Sequence, residues 1–269
     1  MGWFAILINQ HLIGVNMYNP YKSIIKKDGL IYKKLLGTAS TKTVKGEKMG
    51  FLTAILYLTP NDDLCPLARL AGCMEGCLYS SGRGAFNSVQ KARQAKTEFW
   101  YTQQKSFLFS LCADIWELQE KASRNNQKLL VRLNGTSDIL WENYEVIPNR
   151  TIFNLFCNVQ FYDYTKHPSR NLEGKTVGNY DLTYSFSSIT PKPISIKGLT
   201  NPDNSRVAVV FQKKEDIPSS FRSWEVIDGD DTDVRHIEPK NVVVALYAKG
   251  KAKKDQSGFV QIKGLHYEM

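Results

Sequence analysis

The chain has 269 residues, 42% of them hydrophobic and 23% charged, with a formal net charge of +9. It is long enough and apolar enough to bury a core, and no apolar run reaches the ~20 residues that a membrane-spanning helix requires. The apolar start, Gly2–Val15, has no basic residue before it and no small-residue cleavage site, so the five cysteines read as thiols of a reducing cytoplasm, not disulfides.

Met17 opens a more ordinary sequence, which makes residues 1–16 an expected upstream extension. Eight lysines against Asp28 and Glu47 give residues 1–50 a net +6. With Tyr18, Tyr21 and Tyr32 nearby, this region (1–48) reads as a basic arm, either gripping nucleic acid phosphates or simply solvated. Residues 49–269 read as one domain. Phe51–Leu58 is a nearly continuous apolar run closed by Thr59-Pro60-Asn61-Asp62, as in a strand buried on both faces of a parallel sheet.

After that strand come Cys65, Cys73 and Cys77, three of the five cysteines within thirteen positions, with glycines between and after them. Thiolates are soft ligands, and three so close select an iron–sulfur cluster or zinc over magnesium or calcium. Glycines let the backbone curl around such a group. The same spacing also suits three small thiols packed in a tight loop.

Ala85–Trp100 reads as a helix with a basic face of Lys91, Arg93 and Lys96. A second helix carries Leu108, Leu111, Ile115, Leu118 and Ala122 in one apolar stripe, with Cys112 beside it as a core residue. Strands follow at Leu129–Leu133, Val159–Phe161, Leu182–Phe186, Val207–Phe211, Trp224–Ile227 and Val242–Tyr247, each ending in polar residues. Most links span about a dozen residues or more, enough for crossovers between parallel strands. The expected fold is therefore α/β: a partial or irregular (β/α) barrel of mostly parallel strands. Barrels of this kind build their sites at the C-terminal ends of the strands. Asn134, Asp138, Asp163 and Lys166 are the candidate catalytic residues on that ground, with Ser137, Asp228 and Asp230 around the same mouth. The four histidines show no ligand spacing.

The motifs Lys42-Thr43-Val44-Lys45-Gly46-Glu47, the cysteines with Gly82-Arg83-Gly84, Val131-Arg132-Leu133-Asn134-Gly135-Thr136-Ser137-Asp138 and Phe161-Tyr162-Asp163-Tyr164-Thr165-Lys166 together resemble a family of bacteriophage-encoded proteins. The resemblance implies a phage protein in an infected host cell and brings no activity with it. More distantly, a cysteine triad after the first barrel strand is similar to the radical S-adenosylmethionine enzymes. That similarity implies a [4Fe–4S] cluster on Cys65, Cys73 and Cys77, with one iron left open. The spacing departs from that family's C-x3-C-x2-C, and no Gly-Gly-Glu-type motif follows the second strand. Iron–sulfur ligation survives this departure better than adenosylmethionine chemistry.

Two readings result. One is an iron–sulfur protein with redox or radical-type chemistry, acting on a small molecule or with a redox partner. Gly82, Arg83 and Gly84 would then cover or tune the cluster, and Cys157 is a distant fourth ligand. The other is a nucleic-acid-binding protein with a structural zinc or cluster.

Overall fold

A computed structural model describes residues 18–39, 41–168, 170, 172–189 and 206–267. The expected upstream extension, residues 1–16, lies outside them. The strands are β1 (Leu36–Gly37), β2 (Phe51–Leu56), β3 (Lys128–Arg132), β4 (Glu145–Ile147), β5 (Arg150–Thr151), β6 (Gln160–Thr165), β7 (Tyr180–Ser185), β8 (Val207–Phe211), β9 (Ser220–Phe221), β10 (Trp224–Asp228), β11 (Val243–Tyr247) and β12 (Val260–Gln261). The helices are α1 (Pro20–Lys27), α2 (Thr41–Glu47), α3 (Asn87–Thr102), α4 (Gln104–Arg124) and α5 (Ile152–Leu155).

Ten strands form one sheet in the order β1-β2-β3-β6-β7-β8-β11-β10-β9, with β12 beside β8. From β2 to β10 every neighbouring pair is parallel, and only the short edge strands β1 and β9 run antiparallel. The mostly parallel α/β sheet expected from the sequence is present. Its strands follow an open path, and no ladder among the described residues joins β1 to β9. Among the described residues α-helical crossovers occur only in the first half: after α5 the described links hold turns, bends and short 3-10 helices such as Lys214–Asp216. The link between Phe211 and Trp224 is too short and polar to build more.

The sheet buries two different faces, as the pleat requires. Leu52, Ala54 and Leu56 of β2 join Leu129 and Val131 of β3 and Phe161 of β6 in the large core under α1 and α4. The stripe on α4 faces this core, where Leu111, Cys112 and Ile115 are fully buried. Each such aliphatic side chain contributes about 1.5–3 kcal/mol by leaving water.

On the opposite face the segment joining β10 to β11 crosses the sheet. Val234 packs with Leu130 and Tyr162, and the His236 ring stands edge-on to Phe51. Arg235 is completely buried. It donates to the Tyr164 hydroxyl at 2.6 Å and to Thr232 O at 2.6 Å, and it pairs with Glu238. Asp233 accepts from the Tyr162 hydroxyl at 3.1 Å and lies 3.5 Å from Arg132. These contacts pull Tyr162 and Tyr164 into β6. The strand therefore runs on to Thr165, and Asp163 lies inside it instead of at its end as the sequence pattern predicts.

Residues 18–37 are packed into the domain. Ser106, Ser110 and Asp114 step by four along α4 and form a polar stripe. Asp114 accepts the Tyr32 hydroxyl at 2.7 Å and the N–H groups of Leu35 and Leu36 at 2.7 and 2.9 Å. Ser106 and Ser110 accept the N–H groups of Ile31 and Lys33 at 3.3 and 3.2 Å. Replacing Asp114 with Ala strands two buried backbone donors, so chemical denaturation should show a loss of roughly 2–4 kcal/mol. A loss below ~0.5 kcal/mol would mean that residues 31–36 do not depend on this stripe.

Candidate metal centre

The chain leaves β2 at Leu56 and winds through successive tight turns. Asn61 Oδ1 accepts the Leu64 N–H at 2.9 Å, Cys65 N donates to Asn61 O at 2.9 Å, and Ala71 N donates to Leu67 O at 2.9 Å. Buried Leu64, Ala68 and Ala71 anchor the turns to the body of the domain. Cys65, Cys73 and Cys77 are half-buried and carry no disulfide.

The charges of the three thiols act on one another. Burial pushes Cys65 up, and the Asp138 carboxylate, Cys77 and Cys73 push it further. Cys73 is raised by burial, against the opposing pull of Lys166. Burial raises Cys77 as well, while the Tyr79 N–H and Arg93 oppose it. Left to themselves, the three are neutral thiols. Among the described residues, no group of three or more Cys, His, Asp or Glu side chains is placed so that it could hold a metal ion.

The strand-end candidates meet beside this loop. Asn134 is fully engaged: its Oδ1 accepts from Ser137 Oγ at 2.8 Å, Ile139 N at 3.0 Å and Trp141 Nε1 at 3.1 Å, and its Nδ2 donates to Ile139 O at 3.0 Å. Its N–H donates to Asp163 Oδ1 at 2.7 Å, and Asp163 Oδ2 accepts the Tyr180 hydroxyl at 2.9 Å. Gly135 crosses so close to β2 that a Cβ there would lie 2.7 Å from the Tyr57 ring. This brace delivers Asp138 to the cysteines. Asp138 Oδ2 accepts the Lys166 N–H at 2.7 Å, whereas buried Oδ1 has no hydrogen-bond partner and stands 3.9 Å from Arg170 Nη1.

Lys166 is 8% exposed. Its ammonium donates to Ser185 O at 2.8 Å and Phe186 O at 3.1 Å and lies 4.5 Å above the Phe259 ring. Among the described residues no carboxylate forms an ion pair with it. Burial pushes its pKa down to about 8, with Cys73 and Asp138 pulling the other way.

Gly82, Arg83 and Gly84 form a 3-10 turn before α3. A Cβ on Gly84 would come within 3.2 Å of the Arg93 guanidinium, which lies over the Tyr57 and Tyr79 rings at 4.8 and 5.3 Å and donates to Tyr79 O at 2.8 Å. Arg93 looks like part of a solvated basic face in the sequence. Its spacing with buried Thr97 and Trp100 is the signal that places it on the inner side of α3.

The C-terminal segment roofs the loop, a role with no signal in the sequence. A Cβ on Gly76 would lie 3.3 Å from that of Ala252, and Ser257 Oγ lies 3.4 Å from Gly72 O. Asp228 and Asp230 belong to a turn at the end of β10: Asp230 N donates to Asp228 Oδ1 at 2.8 Å, and Asp230 pairs with Lys249. Cys157 is exposed and precedes β6. It therefore lies at the opposite end of the parallel strands from the cysteine loop, which removes it as a fourth ligand.

A mostly parallel α/β domain with a three-cysteine loop at its strand ends is the class defined by this geometry. The protein-family model Gene product 88 matches residues 30–263, and the chain belongs to that family. It is a phage-type family, in agreement with the motif resemblance. No curated protein and no solved structure matches the chain. Among the described residues no helix is long and apolar enough to cross a membrane.

The brace makes a prediction about pH. Burial pushes the Asp163 carboxyl from 3.8 up to about 7, against the pull of Arg132, the Asn134 N–H and the Tyr180 hydroxyl. A carboxyl raised on folding holds its proton more tightly in the folded state. Its contribution is full below the unfolded value and is lost as pH rises towards 7. Chemical denaturation should show wild-type stability falling between pH 4.5 and 7.5 more steeply than that of Asp163→Asn. Equal slopes, or a steeper fall in the variant, would contradict this.

Proposed function

We propose that this protein binds an iron–sulfur cluster through Cys65, Cys73 and Cys77 and uses it for redox or radical-type chemistry in the cup at the strand ends. The observation that carries the reading is three half-buried thiols on one loop, with the buried Lys166 ammonium acting on Cys73 and, among the described residues, in no ion pair with a carboxylate. Buried thiols with raised pKa values are poor nucleophiles, which argues against a cysteine-nucleophile enzyme. A thiophilic cation would displace their protons, and the thiolates would then supply the anion that a buried ammonium needs.

The donor chemistry suits such a group: three sulfurs on a glycine-containing loop, with the seven residues between Cys65 and Cys73 exceeding the two to four usual between paired zinc cysteines. When bound, the cluster supplies one-electron chemistry and, with three protein thiolates, leaves one iron to a ligand from outside the chain. Lys166 and Asp138 would be the groups beside that position. Lys166 holds positive charge there, and Asp138 offers its unpartnered Oδ1 to a proton or to a polar group of a small-molecule substrate. Asn134 and Asp163 would position Asp138 without touching substrate. Gly82, Arg83 and Gly84 would cover the Cys77 side. The comparisons lend no support to the radical-enzyme resemblance, so the reading rests on the cysteines alone, and S-adenosylmethionine, whose glycine-rich motif the chain lacks, is not part of the proposal.

Single serine substitutions made and purified without oxygen test the assignment. Iron, sulfide and visible absorbance should be lost in Cys65→Ser, Cys73→Ser and Cys77→Ser and kept in Cys112→Ser, because Cys112 lies in the core under the sheet. Full iron retention in any of the first three removes that residue from the ligand set.

A further inference from the structure

A lysine run near the C-terminus, Lys249, Lys251, Lys253 and Lys254, folds directly onto the cysteine loop. Residues Gly250–Lys254 form a 3-10 turn whose Ala252 is buried against Gly76, and Gly250 lies against Ser81. Pinned at Ala252, the turn holds Lys251, Lys253 and Lys254 outward and exposed, on the same rim as exposed Arg83. Among the described residues none of these four cations is ion-paired, whereas neighbouring Lys249 pairs with Asp230 and Arg69 with Asp62. Acidic groups on the two segments are few. Glu75 is exposed, and Asp255 is occupied by Ser257 Oγ at 2.8 Å and Val260 N at 3.0 Å. Phe86, three residues beyond Arg83, presents its ring to solvent at 59% exposure.

We propose that this rim of Arg83, Lys251, Lys253 and Lys254 binds a single-stranded nucleic acid, with Phe86 as a stacking platform for an unpaired base. Four unneutralised cations beside an exposed aromatic ring are the combination that tracks a phosphodiester backbone and tolerates any base. Lysine is depleted at protein–protein interfaces, and the apolar residues here, Leu78 and Phe86, stand singly; both facts weigh against an acidic protein as the occupant. The proposal goes beyond the metal reading and stands without it. It places a nucleic acid contact apart from the N-terminal basic region, whose α1 packs on α4 and whose α2 packs on β2.

Fluorescence anisotropy of the full chain with a labelled single-stranded oligonucleotide tests it at several salt concentrations. Changing Arg83, Lys251, Lys253 and Lys254 together to Gln should weaken binding about tenfold or more and flatten the dependence of affinity on salt. Removing the same charge elsewhere, by Gln at exposed Lys26, Lys27, Lys34 and Lys48, should change affinity by about twofold or less. Phe86→Ala alone should weaken binding several-fold, which keeps the test decisive if the fourfold variant fails to fold. The proposal is overturned if wild type does not bind at low salt, or if both fourfold variants weaken equally. It is also overturned if only the Lys26 set matters, or if polyglutamate displaces the strand as well as unlabelled oligonucleotide does.

Discussion

Two hydrogen bonds between strand ends hold the cup together: Asn134 N–H to Asp163 and Lys166 N–H to Asp138, each 2.7 Å long. Both tie a loop leaving one parallel strand to a neighbouring strand or its exit. They work because β2, β3, β6 and β7 run in the same direction, so their exits meet on one side. Around the brace, Asn134 closes the loop after β3 onto itself, and Gly135 lets that loop cross β2 at close range. The cysteine loop then docks on the result, through Asp138 N–H to Leu64 O at 2.7 Å. Loss of the brace would move Asp138 and Lys166 away from the cysteines together, without touching a thiol.

Buried charge is handled differently on the face opposite the large core and beside the cysteine loop. Opposite the large core, Arg132, Asp233, Arg235 and Glu238 neutralise one another, and the Tyr162 and Tyr164 hydroxyls bond to Asp233 and Arg235. Paired charges of this kind offset part of their desolvation and hold the β10–β11 segment against the sheet, although Arg132 Nε and Glu238 Oε2 have no hydrogen-bond partner. At the cysteine end Lys166 has carbonyls and a ring for company, and Asp138 Oδ1 has no hydrogen bond. The difference lies in the ion pairs: Arg132 and Arg235 have carboxylate partners, whereas among the described residues Lys166 forms no ion pair with a carboxylate.

Where the sequence is periodic it was legible. Phe51–Leu58 and Val207–Phe211 show their strands because continuous apolar runs serve two buried faces, and the stripe from Leu108 to Ala122 shows its helix because its spacing serves one. The polar stripe Ser106, Ser110 and Asp114 lies on the same helix and could not be recognised, since its partners are backbone N–H groups of an extended segment with no pattern of its own. β6 runs longer than its apolar residues indicate because tyrosine hydroxyls satisfy distant charges. The gathering of the cysteines with Asp138 and Lys166 followed from the rule that parallel strands collect their exits. Arg93 and the C-terminal roof did not, because each depends on contacts far apart in the chain. Helices expected between the later strands are absent from the described links, where short polar turns take their place.

The account rests on the three thiols sharing one metal group. The most direct test is to purify the full-length wild-type chain without oxygen and to quantify iron, zinc and acid-labile sulfide per chain, alongside its visible spectrum. The account predicts iron and sulfide in comparable amounts and absorbance near ~400 nm from sulfur-to-iron charge transfer. Zinc with neither iron nor sulfide, or a metal-free chain that stays colourless after reconstitution with iron and sulfide, would contradict it.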